Sequence, residues 1–272
     1  MTAGRSMTRS ALMAAAIILA LGNPAMAQEA QDLAKKLANP LASLISVPIQ
    51  GNYDGNIGPN DDGERLNFNI QPVIPITLNE DWNLITRIIL PITAQEDIFP
   101  GAGDQFGLGD ITASFFFSPQ KPAFGKVIWG VGPVALLPTA TDDLLGGEKW
   151  GTGITGVALS QTGPWTVGML ANHIWSVAGD GNRADISNTF LQPFLSYTTP
   201  DAWTFTLNTE SSYDWKAEDW AVPVNFQVSK LTRIGKQPVS LGAGLRYWAE
   251  SSPNSPEGWG VRVILTFLYP KG

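Results

Sequence analysis

The sequence has no cysteine, so neither a disulfide framework nor a thiolate metal site is open to it. It has one histidine, His173, which narrows imidazole chemistry to a single position. Charged residues are also scarce, at 15% of the chain, where soluble domains average about 25%. After residue 27 no apolar run reaches the roughly 18 residues of a helical membrane span, which excludes helical spans. The polar residues must therefore be distributed in a way that does without a charged surface.

What is present begins with a secretory signal: Arg5 and Arg9, an apolar run from Ala11 to Leu21, then Ala25-Met26-Ala27. That run is too short to cross a bilayer as a helix, so cleavage after Ala27 is expected. Residues 1–27 are read as signal peptide, 28–43 as an N-terminal periplasmic arm or short helix, and 44–272 as the body of the protein. The mature chain carries 15 Lys and Arg against 24 Asp and Glu, net −9. An acidic chain of this kind is not expected to bind nucleic acid.

From about Leu44 onward the chain alternates. Leu66, Phe68, Ile70, Ile74, Ile76 and Leu78 fall on one face, with Asn67, Asn69, Gln71 and Thr77 on the other. Such period-two patterning marks strands with one apolar face. Trp82, Leu84, Ile88, Leu90 and Ile92 oppose Asn83 and Arg87 in the next segment. In the fourth, Ile111, Ala113, Phe115 and Phe117 oppose Asp110, Thr112, Ser114 and Ser118, with Phe116 the exception. Residues 150–160 alternate least. The pattern then recurs from residue 165 to 269, giving twelve strands with alternating short and long connections.

Two folds alternate in this way, a soluble β-sandwich and a membrane barrel. A soluble sheet shows Lys and Glu to water, whereas the polar face here carries Asn, Gln, Thr, Ser and Gly, which suit a confined lumen. The opposite face stays apolar and aromatic over some ten residues per strand, the length of a tilted membrane-spanning strand. Aromatic residues cluster at strand ends (Trp82, Trp150, Trp165, Trp203, Trp220, Trp259, Tyr269), as membrane interfaces require. The expected fold is all-β, a transmembrane antiparallel up-and-down β-barrel of about twelve strands with a short N-terminal helix or arm. The six long loops hold a net charge of −14 and the short turns +2, so the outer mouth is expected to be acidic.

Four stretches carry a family resemblance: NPLASLISVPIQGNYDG at 39–55, FNIQPVIPI at 68–76, GLGDITASFFFSPQKP at 107–122 and WGVGPVALLPTAT at 129–141. With these, the chain resembles the outer-membrane barrel family of the meta pathway of phenol degradation. The resemblance implies a barrel in the outer membrane of a Gram-negative bacterium, passing small hydrophobic or aromatic compounds, with no catalytic motif. The chain departs from barrels that end on an aromatic residue by running past Tyr269 to Pro270-Lys271-Gly272.

A lipid-acting barrel enzyme is the alternative, with a structural envelope protein as a third class. His173 lies in NHIWS, but residues one and three positions apart on a strand face opposite ways, so neither Asn172 nor Ser176 joins it. No cofactor and no metal site is expected. The acidic run DGNIGPNDDGE (54–64) lacks calcium-loop spacing and reads as a solvated loop. The glycines of GAGDQFGLGD have no βαβ context and suit turns and bulges at a barrel rim. The candidate permeation residues are the inward charges Arg87, Asp110, Glu210, Arg246 and Arg262, with Asn69, Gln192, Asn225 and Gln227. The expected partners are membrane lipid and lipopolysaccharide, reached through cation bridges to the acidic loops, a small-molecule solute, and the barrel-assembly machinery. The arm from Gln28 is read either as a plug for the lumen or as disordered.

Overall fold

The computed structural model describes residues 24–252 and 255–270. Residues 1–23 of the expected signal peptide (1–27), with residues 253–254 and 271–272, lie outside the described residues. A helix, α1 (Pro24–Leu37), spans the expected cleavage point and leads into β1 (Ile45–Ile57). The strands that follow are β2 (Gly63–Ile70 and Val73–Thr77), β3 (Trp82–Glu96), β4 (Gln105–Leu108 and Ile111–Pro119), β5 (Val127–Leu137) and β6 (Lys149–Thr162). The second half adds β7 (Trp165–Gly179), β8 (Ser187–Thr198), β9 (Trp203–Thr209 and Ser211–Asp214), β10 (Asp219–Ile234), β11 (Gln237–Glu250) and β12 (Gly258–Tyr269).

Each strand pairs antiparallel with its neighbours in sequence, and β12 pairs with β1 from Ile45↔Tyr269 to Tyr53↔Val261. The result is a closed twelve-stranded up-and-down barrel. At one end the turns have four, seven, two, four and two residues; at the other the loops have five, eight, eleven, seven, four and seven. The loops are shorter than the sequence suggests because β1 continues past Tyr53 and β3 past Ile92. Asp54 therefore belongs to the barrel wall and not to a solvated loop: it is inward-facing and 4% exposed.

Outside, Leu66, Phe68, Val167, Met169, Phe205, Leu207, Leu241, Leu245, Val261 and Val263 stand exposed, as a lipid-facing surface requires. Aromatic rings cluster at both ends, with Trp165 against Tyr197 at the short-turn end. At the loop end Tyr213 packs on Trp215 and Trp220, and Tyr247 on Trp259. The poor alternation of β6 has a plain cause. Its outward face mixes Trp150 and Ile154 with the small residues Thr152, Gly156 and Ala158, while Val157 and Leu159 point inward.

Those inward apolar residues belong to a cluster low in the lumen: Leu41, Ile85, Phe116, Val157, Leu159 and Leu170, with Val73, Phe190 and Phe194 packed against it. Phe116, the residue that broke the alternation of β4, is 2% exposed there. A Cβ added at Gly130 would sit 3.2 Å from both Leu41 and Phe116, so this glycine leaves room for the arm. Beside it, α1 buries Leu33 and Ala34 against Leu44, Ala202, Leu231 and Leu268. Arg233 donates to Glu29 at 2.7 Å and Gln161 donates to the Lys35 carbonyl at 2.9 Å. The arm is a helix packed across the short-turn mouth, with Leu41 inserted behind it.

Phe116→Ala removes a fully enclosed ring from this cluster and is expected to destabilise the folded barrel by about 3 kcal/mol, the lower end for buried Phe→Ala. Reversible denaturant unfolding in detergent or lipid checks it; an unchanged midpoint would mean that Leu41 and Phe116 do not pack as described.

Candidate functional site: the barrel lumen

The alternation that makes the outside apolar delivers the polar side chains of all twelve strands to one interior. Strand register stacks them in layers. Arg262, Asn52, Asn67 and Thr93 occupy one such row across β12, β1, β2 and β3. Arg262 is 1% exposed and fully engaged. Its Nε donates to Asn52 Oδ1 at 2.7 Å, and its two terminal nitrogens donate to the two Glu210 oxygens at 2.9 and 2.7 Å. Because β9 and β12 are three places apart in the ring, this fork-to-fork pair crosses the lumen as a chord.

Nearer the loop end, Arg246 lies 3.4 Å from Asp54 and stacks over the Trp248 ring at 4.5 Å, and Trp248 Nε1 donates to the other Asp54 oxygen at 2.8 Å. Arg65 donates to Gln95 at 2.9 Å. Towards the helix, Arg87 donates to Gln71 Oε1 at 2.8 Å and lies within electrostatic reach of Glu210. β3 and β9 stand opposite each other in a twelve-membered ring, so Arg87 and Glu210 face one another across the lumen. Four arginines against Asp54 and Glu210 leave this layer electropositive, beneath acidic loops.

All nine residues expected in the lumen point inward, but they divide into groups. Arg87, Glu210, Arg246 and Arg262 form the charge cluster. Asn225 donates to Asn208 at 2.9 Å, while Gln192 and Gln227 line the cavity below. Asn69 sits opposite Gln50 with its side chain toward the lumen. Asp110 stands apart from permeation: its carboxylate accepts from the backbone N–H groups of Ala140 (3.1 Å) and Gly147 (2.7 Å).

Asp110 thereby holds the eleven-residue loop 138–148 against the inner wall. Gly107 faces inward, and a Cβ there would collide with Thr141 and press on Leu145 of that loop. The pairs Ile92↔Leu108 and Ile89↔Thr112 put one extra residue in β4, a bulge at Gly109-Asp110 that turns Asp110 inward. Gln95 donates to the Leu144 carbonyl at 3.3 Å and Arg183 to the Asp143 and Gly146 carbonyls, which pin the loop from the side and from above. In the adjoining loop, the hydrogen bond from Lys149 holds the Asp185 carboxyl below the usual carboxylate range.

Sequence reasoning missed Asp54 and Arg65, which it assigned to the first long loop, and Trp248, which it did not single out. The parity of Asn52 and Asn67, extended by two residues, reaches Asp54 and Arg65. The cavity below the charge cluster measures about 260 Å³ and is bounded by the arm on one side and by Arg87, Gln192, Asn208 and Gln227 on the others. Among the described residues no three His, Asp or Glu side chains converge as a metal cluster. His173 faces outward, with Nδ1 2.7 Å from Thr189 Oγ1, Nε2 3.5 Å from Ser187 Oγ, and its ring against Trp175.

No family model matches the chain, and no curated protein matches it in sequence. Among solved structures, an outer-membrane channel from Pseudomonas putida F1 superposes with a TM-score of 0.65 at 13% identity, covering 84% of this chain and 96% of that one. The KdgM porin in complex with disordered oligogalacturonate overlaps at a TM-score of 0.43 (10% identity, 84% and 99% covered). The outer membrane phospholipase A of Escherichia coli overlaps at 0.48 (11% identity, 84% and 99% covered). At such identity the first likeness establishes the fold alone, that of outer-membrane β-barrels.

Truncating Glu210 to Ala strands Arg262 in the lumen, and loss of one partner of an enclosed pair costs about 3–5 kcal/mol. Unfolding midpoints should fall accordingly, with part of the loss recovered in the double variant Glu210→Ala/Arg262→Ala. A single variant as stable as the parent would contradict the chord. Asp110→Ala should leave the barrel folded but expose loop 138–148 to limited proteolysis.

Proposed function

We propose that this protein is a passive outer-membrane channel for small molecules, with a lumen restricted by its own N-terminal arm. The observation that supports it is the interior itself. A barrel serving only as a scaffold would be filled, whereas this one keeps a cavity of mixed polar and apolar lining between a charged layer and the N-terminal helix. Twelve strands give a lumen between the side-chain-filled eight-stranded barrels and the open sixteen-stranded porins. Apolar residues of the cavity wall (Val73, Leu170, Phe194) provide contact for solutes with a hydrophobic or aromatic part, in keeping with the resemblance to the phenol meta-pathway barrels. Membrane lipid surrounds the apolar belt. Assembly by the barrel-assembly machinery and cation bridges from the acidic loops to lipopolysaccharide complete this reading.

A lipid-hydrolysing reading draws on one observation, the Ser187–His173 approach on the lipid-facing wall. Its third member is the Thr189 hydroxyl, which also accepts from Trp215 Nε1 at 2.8 Å. Among the described residues no carboxylate hydrogen-bonds His173 to stabilise an imidazolium, which a serine nucleophile needs from its base. The channel reading therefore stands ahead of it.

Reconstituted into planar bilayers, the mature protein is expected to give small discrete conductance steps, larger after deletion of residues 28–43. A deletion variant that folds yet neither conducts nor admits solutes into liposomes would overturn the proposal. Phospholipid turnover lost in both His173→Ala and Ser187→Ala would establish the enzyme instead.

A further inference from the structure

The cavity beneath the charge cluster has an unusual charge balance for an acidic protein. Its wall includes two cations, Arg87 and Lys36, and not one Asp or Glu. The acid nearest in effect, Glu210, is already held by both terminal nitrogens of Arg262. Arg87 spends one terminal nitrogen on the neutral Gln71 Oε1. No other hydrogen bond, ion pair or ring contact of its guanidinium is present among the described residues, and the group lines the cavity. An enclosed guanidinium with open donors is matched in geometry by a carboxylate, which takes two parallel N–H bonds.

The rest of the wall narrows the ligand. Val73 stands directly opposite Arg87 in the β2–β3 ladder, and Leu170 and Phe194 continue the apolar surface from the far side. The remaining polar lining is neutral amide and hydroxyl, with Gln50, Gln192 and Asn208 among it. A doubly charged inorganic anion would leave the apolar side unused, and a neutral hydrocarbon would leave the guanidinium unpaired. The volume of about 260 Å³ is near the lower end of small-molecule sites.

We propose that this cavity is a binding site for a small organic monocarboxylate, with its carboxylate on Arg87 and its aromatic or branched aliphatic body against Val73, Leu170 and Phe194. It deepens the channel reading and rests on it in one respect, that the cavity can be entered. Lys36, at the arm's edge of the cavity, adds a second positive charge to the approach from the helix side. The acidic loops at the other mouth repel the same ligand, so the cavity favours carboxylates over cations only after the mouth has been passed.

The test is isothermal titration of the folded mature protein in detergent micelles with sodium benzoate, and in parallel with benzamide, the neutral molecule of the same shape. Benzoate should bind saturably, and benzamide about tenfold or more weakly, because bonds to a charged acceptor outweigh neutral ones. Arg87→Gln should lose benzoate binding by a similar factor while Arg87→Lys retains part of it. The benzamide comparison needs no variant, so the test survives a variant that fails to fold. Equal binding of the two ligands, no saturation with benzoate, or an Arg87→Gln protein that binds benzoate unchanged would each overturn the site. Liposome permeation separates the two proposals: unselective passage of both compounds without saturable binding leaves the channel and removes the site, and saturable binding to a non-conducting barrel does the reverse.

Discussion

Hydrocarbon supplies no hydrogen-bond partners, so every backbone N–H and C=O within the membrane must be paired inside the protein. For a sheet this means closure, and the pairing of β12 with β1 meets the requirement. The remaining features follow from it. A closed ring of alternating strands has one face for lipid and one for the lumen, so the few charges of the wall are forced into the same narrow space. Once there they cannot be left to water alone, and the Arg262–Glu210 chord, the Asp54–Arg246–Trp248 group and the Arg65–Gln95 contact are the arrangements that accommodate them.

The ring itself was legible in the residues, because alternation over ten or so positions survives local irregularity. The inward charges were legible for the same reason. What escaped was tied to where strands end and where the lumen changes character. Asp54 and Arg65 look like loop residues because acids and glycines surround them, yet they continue the inward parity of Asn52 and Asn67. Phe116 looked like an error in the pattern because a polar lumen was assumed throughout. Its neighbours in space, Leu41 and Leu170, come from distant parts of the chain, and no periodicity within β4 announces them. The partner of His173 was hidden similarly: Ser187 lies across the β7–β8 ladder and not along the same strand.

The stretch Gly107 to Asp110 shows how a short motif can serve a remote segment. Its glycines are not needed for a turn of their own. They clear the inner wall for Thr141 and Leu145, and the extra residue in the strand rotates Asp110 to receive that loop's N–H groups. A loop held inside the rim narrows the entrance from above as the arm does from below. The lumen is thus bounded at both ends by segments of chain that are not part of the barrel wall.

The surface on which α1 rests is drawn from Ala202, Leu231 and Leu268, in the turn before β9, in β10 and in β12. The helix precedes every strand in the chain, but its seat does not exist until the last strand is in place. During assembly the helix can consequently dock fully only after β12 has closed the ring. A barrel that stopped short of β12 would leave its amphipathic helix unseated, an exposed mark of incompleteness at the short-turn end.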